Sequence, residues 1–321
     1  MSRDQLAQAI ANIAADYRPR PLTQQIVKDW ICQFPEPVRD GILIELAYVL
    51  SKTYFSKRYF EKFYKSIATH KSLPDPSDYW RNCSFLQLQK FGNSQKELLS
   101  IFSRSLKDKF GFTVEECGAC PDRYVYLDDA LFSGGRIKAD IARWIAEEAP
   151  QNARVDVILL ARHTQGSFFS ENDIAKAAES AGKTIAVRFH ARFLIEDRRA
   201  RTNVSDVLRP TAIPAHALTK AYATGLGTDP ILRTPGSLGG NGFFSSEAGR
   251  NLLEQEFLKA GVRVREKCPR LNAFQRPLGN TVQRTLGFGS TIVTFRNCPN
   301  NAPIALWAGD PWDPLFPRQI N

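Results

Sequence analysis

The sequence predicts an α/β fold with a mostly parallel sheet, preceded by a helical extension and followed by an irregular C-terminal region packed on the core. Three observations carry that prediction. Strand-like runs alternate with helical stripes from about Trp80 to Glu196, which is the pattern of strands joined by crossover helices. Two of the runs, Tyr124 to Leu127 and Val155 to Ala161, are almost wholly apolar, as strands covered on both faces are. Finally, 321 residues with 43% hydrophobic and 24% charged content suffice for a sizeable core and exclude a disordered tail or a disulfide miniprotein.

From Gln5 to about His70 the apolar spacing is helical. Leu6, Ile10 and Ile13 share one face, and Ile26, Trp30, Ile31 and Phe34 another before Pro35 interrupts. Val38, Ile42, Leu43, Leu46, Ala47 and Leu50 form the next stripe, and Tyr54, Phe60, Phe63 and Tyr64 extend an aromatic hairpin to Leu73-Pro74-Asp75-Pro76. Aromatics at this spacing read as core or interface, not as a ligand cage. Cys83 to Gln89 then alternates like a strand, Lys90 to Ser94 is a polar turn, and Leu98, Leu99, Phe102 and Leu106 resume a helix. The unit repeats with Tyr124 to Leu127, a glycine-containing loop and a helix bearing Ile137, Ile141, Trp144 and Ile145. Val155 to Ala161, a helix over Ile174 to Ala181 and a strand over Thr184 to Phe189 complete the core.

Beyond Asp197 the pattern weakens. Arg209-Pro210 to Thr234-Pro235 is rich in proline and glycine, Ala248 to Ala260 is a clear helix, and Gly287 to Arg296 reads as a strand. The ending, Asn297-Cys298-Pro299-Asn300-Asn301-Ala302-Pro303 with Trp307 and Trp312 to Phe316, is too apolar for a solvated tail. The expected regions are therefore 1–79 (helical), 80–196 (α/β core) and 197–321 (C-terminal extension).

Lys and Arg number 43 against 33 Asp and Glu, a net charge of +10 that suits a polyanionic or phosphorylated partner. No apolar run approaches the roughly 20 residues that span a bilayer, and no apolar leader follows Met1, so a cytoplasmic protein with no membrane contact and reduced thiols is expected. Cys117-Gly118-Ala119-Cys120 has zinc-ligand spacing, but a structural site needs four ligands and no histidine stands nearby, so no metal ligand is assigned.

The most informative stretch is Tyr124-Val125-Tyr126-Leu127-Asp128-Asp129-Ala130-Leu131-Phe132-Ser133-Gly134-Gly135-Arg136. A strand ends in two carboxylates, and a glycine loop leads into a helix. Such a loop offers backbone N–H groups to a phosphate, while adjacent carboxylates accept from a vicinal diol or from the water shell of Mg²⁺.

This segment resembles the phosphoribosyl-pyrophosphate-binding motif of type I phosphoribosyltransferases. The resemblance implies that Asp128 and Asp129 hold the ribose at the catalytic centre. It implies that Ala130, Leu131, Phe132, Ser133, Gly134, Gly135 and Arg136 hold the 5-phosphate, with the Ser133 hydroxyl as donor. The family's pyrophosphate turn falls at Lys90, Gly92 and Ser94, and its mobile catalytic loop at Lys107 to Arg123, where no base is assigned. Arg136 departs from the small or hydroxyl residue usual in the family. Arg162 with His163, and Arg188 with His190 and Arg192, end two predicted strands and would face the same carboxyl edge, where Arg162 and Arg188 would meet a pyrophosphate or a base.

A wider resemblance rests on Trp30 to Phe34, the acidic motif, Arg276-Pro277-Leu278-Gly279-Asn280, Gly287-Phe288-Gly289 and the Asn/Pro ending. Together these are similar to the phosphoribosyltransferase-like proteins of bacterial conflict systems, including those encoded beside retron reverse transcriptases. That likeness implies an antiphage role, operon-encoded partners such as a reverse transcriptase, and as ligand phosphoribosyl pyrophosphate or a nucleotide with Mg²⁺. Two functions follow: an enzyme acting at the anomeric carbon, or an inactive binding subunit on a reverse transcriptase and nucleic-acid complex. For the second, Arg192, Arg198, Arg199 and Arg201 are the candidate RNA or msDNA contacts.

Overall fold

Local capping chemistry sets the first helices. In α1 (Arg3–Ile13) the Ser2 hydroxyl accepts from the Gln5 amide while the Gln5 side chain returns to the Ser2 N–H, closing a capping box. The Thr23 hydroxyl accepts from the Ile26 amide and so caps α2 (Gln24–Cys32), and after Pro35 the chain turns into α3 (Arg39–Thr53) and a two-residue strand, β1 (Tyr54–Phe55). In this computed structural model the described residues are 1–90, 93–119, 123–268 and 270–318. They form two units, one from Lys57 to Leu194 and one joining Met1–Ser56 to the chain from Ile195 onward.

The Lys57 to Leu194 unit holds the sheet. Helices α4 (Lys57–Ala68) and α5 (Pro76–Arg81) lead into β2 (Cys83–Leu86), and α6 (Ser94–Phe110) crosses to β3 (Arg123–Leu131). Helix α7 (Gly135–Glu147) precedes β4 (Asn152–His163), and α8 (Thr164–Ser180) precedes β5 (Thr184–Ile195). The strands lie in the order β2-β3-β4-β5, with β2 parallel to β3 and β3 parallel to β4. The Thr184 amide donates to the Gln151 carbonyl where β4 and β5 begin, and His190 reaches Asp156 further along, so β5 runs the same way. This is the mostly parallel α/β sheet that the alternation predicts.

Both faces of the sheet are covered at its centre. Ile137, Ile141, Trp144 and Ile145 of α7 and Ile174 and Ala178 of α8 bury one face against Tyr126, Val155, Val157 and Leu159. On the other, Phe85 of β2 packs on Phe102 of α6 (ring centroids 5.6 Å apart), and Trp80 packs on Phe102 at 5.0 Å while donating to the Ala68 carbonyl. Truncating a buried ring such as Phe102 costs about 3–5 kcal/mol. Three strands, β3, β4 and β5, are longer than the sequence suggests. β4 begins at Asn152 and ends at His163, and β5 continues past Phe189 because its inner residues, Ile185, Val187, Phe189 and Ala191, keep packing on the apolar layer while the alternate ones face out.

In the other unit α9 (Ala217–Gly225) and α10 (Glu247–Lys267) are followed by the short strands β6 (Gln275–Arg276), β7 (Gly279–Asn280) and β8 (Val293–Thr294), then α11 (Ile304–Trp307). The strand expected over Gly287 to Arg296 shrinks to Val293 and Thr294, parallel to β1. Gly287 (φ +144) and Gly289 (φ +80) have turned conformations and press on the backbones of Leu278 and Leu208, which stops a ladder from forming earlier. The Asn/Pro ending is largely buried, and the N-terminal region supplies partners for it and the residues that follow: Trp30 Nε1 of α2 donates to the Ala305 carbonyl, and the Tyr17 hydroxyl, between α1 and α2, donates to the Pro317 carbonyl and accepts from the Cys298 amide.

Candidate functional site

The acidic pair lies inside β3, not at its end. Asp128 pairs in register with Leu159, Ala130 with Ala161 and Leu131 with Arg162, because β4 continues to His163 and supplies ladder partners two residues beyond the carboxylates. Asp128 is only 4% exposed, and its Oδ1 accepts from the Asp129 amide at 2.9 Å. Its Oδ2 is 3.5 Å from Gln89 Nε2, the outer limit of a hydrogen bond. Asp129 is half-buried, and its Oδ1 accepts from the Ala130 amide at 2.8 Å.

The loop that follows is fixed by close backbone packing. Gly134 has φ +76 and stands at the N-cap of α7; a Cβ on it would lie 1.8 Å from Ser170 Oγ and 2.9 Å from the Gly166 carbonyl oxygen. Gly166 in turn has the Phe132 carbonyl oxygen 1.9 Å from where its own Cβ would be. Both positions therefore require glycine for packing against α8, before any ligand is considered. Gly135 is different, since a Cβ there would meet nothing closer than Ser133 Oγ at 3.7 Å. Ser133, Gly135 and Arg136 are exposed, Ala130 and Leu131 are buried, and no side chain caps α7. The first-turn N–H groups of a helix lack intrahelical partners, so this exposed start of α7 suits an anion.

The turn after β2 is organised by two glutamines that sequence reasoning overlooked. Gln95 is fully buried, and its Oε1 accepts from the Leu88 amide at 2.6 Å and the Gln89 amide at 3.2 Å. Gln89 Oε1 accepts in return from the Ser94 hydroxyl (2.6 Å) and the Gln95 amide (3.1 Å). This reciprocal pair ties the start of α6 to the end of β2 and brings the Gln89 amide towards Asp128. Lys90 is exposed, Ser94 is buried in this network, and Gly92 lies outside the described residues. Arg143 of α7 also donates to the Leu88 carbonyl and to Asp140, which accepts from the Tyr126 hydroxyl at 3.1 Å. Burial, with the Asp128 and Asp140 charges, pushes the Tyr126 phenol far above its ordinary range. A glutamine on each side of a predicted βα turn was the one sequence signal for this arrangement.

Arg162 ends β4 as expected, and its Nη1 reaches Ser167 Oγ (3.2 Å) and Glu171 (3.4 Å) on α8. His163 is buried, with Nδ1 3.0 Å from the Leu131 carbonyl oxygen and its ring 5.2 Å from Phe132, so it serves the loop from beneath. Arg188 does not reach the carboxyl edge. It lies mid-strand on the exposed face of β5, two residues before His190, because β5 runs on to Ile195. Arg192 shares that face.

The remaining arginines of the basic run belong to the other unit. Arg198 forms a two-pronged pair with Glu196 (Nε to Oε1 2.9 Å, Nη2 to Oε2 2.5 Å), Arg201 is 4.0 Å from the same carboxylate, and Arg199 Nε donates to Gln283 at 2.8 Å. Cys117 has its thiol pushed up to about 11 by burial, and Cys120 lies outside the described residues. A cavity of about 560 Å³ lies between α6 and the Thr113 to Glu115 turn, lined by Lys96, Arg104 and Lys107 among others and by none of the acidic-motif residues.

No curated protein and no solved structure matches the chain. A family model does: PRTase-CE matches residues 27–318, which covers the acidic motif, the glycine loop, the whole sheet and the Asn/Pro ending. The chain therefore belongs to the PRTase-CE family and is a phosphoribosyltransferase-like protein.

Proposed function

We propose that the end of β3 and the start of α7 bind a ribose 5-phosphate compound, phosphoribosyl pyrophosphate or a nucleotide, and that the protein acts at its anomeric carbon. The observation that carries this reading is the uncapped, exposed start of α7 at Gly135, entered through Gly134 and six residues beyond Asp129. The 5-phosphate accepts from the Gly135 and Arg136 amides and the Ser133 hydroxyl. Asp129, less buried than Asp128, accepts from the ribose hydroxyls, while Asp128 orients it through the Asp129 amide. Lys90, on the turn held by Gln89 and Gln95, is a cation for a leaving pyrophosphate, which departs with the bonding electron pair while an incoming nucleophile, an acceptor's nitrogen or water, forms the new bond to the anomeric carbon.

The two carboxylates are hard oxygen donors that fit Mg²⁺ carried in by the ligand's phosphates, where the ion would neutralise charge. Titration calorimetry of phosphoribosyl pyrophosphate and a nucleotide panel with Mg²⁺ tests the reading. Micromolar binding that the Asp128→Ala, Asp129→Ala variant loses supports it, and no binding to folded wild type contradicts it.

A second reading is favoured by Arg162, which is engaged by Glu171 and Ser167 on α8. Here the pocket senses a ligand without turnover, and the protein is a subunit of a reverse transcriptase and nucleic-acid complex in antiphage defence. The defence role rests on the wider sequence resemblance. Loss of phage protection on deletion, with rescue by wild type but not by the Asp128→Ala, Asp129→Ala variant, supports both the role and a live pocket; unchanged protection on deletion contradicts the role.

A further inference from the structure

The face of the sheet turned away from α7 and α8 holds more positive charge than its own residues neutralise. His190 Nε2 lies 2.7 Å from Asp156 Oδ1, so these side chains share one face of adjacent strands. Alternation then puts Arg154, two residues before Asp156, on that face, together with Arg188 and Arg192 on either side of His190. Arg123 joins them from β3 as the register partner of Arg154. Arg154, Arg188, His190 and Arg192 are exposed and Arg123 is half-buried.

The carboxylate among them, Asp156, is already engaged by His190 and by the Tyr79 hydroxyl at 3.1 Å. Among the described residues none of the four guanidinium groups forms an ion pair. Arg123 lies over the Tyr79 ring at 4.5 Å, and Arg192 is 5.6 Å from the Phe193 ring. Like charges on neighbouring strands destabilise a sheet, so a bound polyanion relieves a repulsion built into this face.

We propose that this face binds the phosphate backbone of single-stranded nucleic acid. The four arginines extend about 13 Å along β5 and about 10 Å across three strands, more than one phosphate or pyrophosphate covers. This exposed strand face presents no helix or two-stranded ribbon to enter a duplex groove, whereas a flexible single strand can follow it. The outward positions of β5 are Thr184, Ala186, Arg188, His190, Arg192 and Leu194, with no Phe, Tyr or Trp to stack bases, so contact is to the backbone and is sequence-independent. The site is separate from the proposed ribose-phosphate pocket and does not depend on it.

The test is fluorescence anisotropy of a labelled oligo(dT) of about 20 nucleotides with the full chain, across roughly 50 to 200 mM salt. Wild type binds with a steep salt dependence. Arg154→Ala with Arg188→Ala removes two contacts, so affinity falls roughly tenfold and the log–log salt slope shrinks by about 1.4. Asp156→Asn, which removes the carboxylate from the face, tightens binding, and the Asp128→Ala, Asp129→Ala pocket variant binds as wild type does. Should the double variant unfold, Arg192→Ala lowers affinity about threefold on the same scale. No binding by wild type, an unchanged slope in folded variants, tighter binding to a duplex of equal length, or equal competition by polyglutamate would each overturn the proposal.

Discussion

Gly134 and Ser170 approach so closely that a Cβ on the glycine would lie 1.8 Å from the serine Oγ. The loop that carries the proposed phosphate site is thus set by packing on α8 and not by glycine content alone. Gly134→Ala combines a left-handed backbone with overpacking, and the two together destabilise the protein by about 2–5 kcal/mol. Gly135→Ala, in a helical first turn with space for a methyl, changes stability by less than about 1 kcal/mol. Urea melts of the two variants check this contrast; equal losses would contradict it.

Gln95 holds the turn that follows β2. Replacing it with Ala leaves the Leu88 and Gln89 amides without their acceptor in a part-buried turn, at up to about 1–3 kcal/mol for each group that water does not reach. Faster hydrogen exchange at Leu88 and Gln89, and weaker binding of phosphoribosyl pyrophosphate, are the expected readouts.

How far the sequence revealed this site differs from part to part. The β3-to-α7 passage was legible because strand, acids, glycine loop and helix are contiguous. The Gln89 and Gln95 pair was not, since it acts through tertiary contacts around a short turn. A strand over Thr184 to Phe189 alone puts Arg188 at the carboxyl edge, but the alternation simply continues, apolar residues inward and a mixed set with Arg188, His190 and Arg192 outward, to Ile195. The expected strand over Gly287 to Arg296 failed for a conformational reason, the turned glycines at its start. In the basic run, sequence could not show that Glu196 already binds Arg198 while Arg188 has no carboxylate partner among the described residues.

The second unit is held by a buried ionic cluster. Glu254 lies between Arg233 and Arg250, with all three side chains excluded from solvent. Burial pushes the Glu254 carboxyl up and the Arg250 guanidinium down, against the pull of each partner's charge. Glu254→Ala leaves the buried Arg250 without a carboxylate partner and Arg233 with Glu247 alone, and costs about 3–5 kcal/mol, a loss visible as a lower urea midpoint.

Asp156 gives the fold a pH dependence. Burial pushes its carboxyl up, but hydrogen bonds from His190 and Tyr79 and the nearby charges of His190 and Arg123 outweigh this, and its value lies below the ordinary carboxylate range. A depressed value stabilises the fold above the unfolded carboxylate range, about 4, and that contribution is lost as pH falls through the folded value. The stability difference between wild type and Asp156→Asn is therefore full at pH about 6 and shrinks below pH about 4. Urea melts over that interval check it; a difference constant with pH would contradict it.

The proposed function requires a live ribose-phosphate pocket at the end of β3. Titrating phosphoribosyl pyrophosphate with Mg²⁺ into wild type and into the Asp128→Ala, Asp129→Ala variant tests it most directly. Micromolar heat in wild type that vanishes in a variant with an unchanged melting temperature is the predicted result. Equal binding by both proteins, or none by folded wild type, would contradict it.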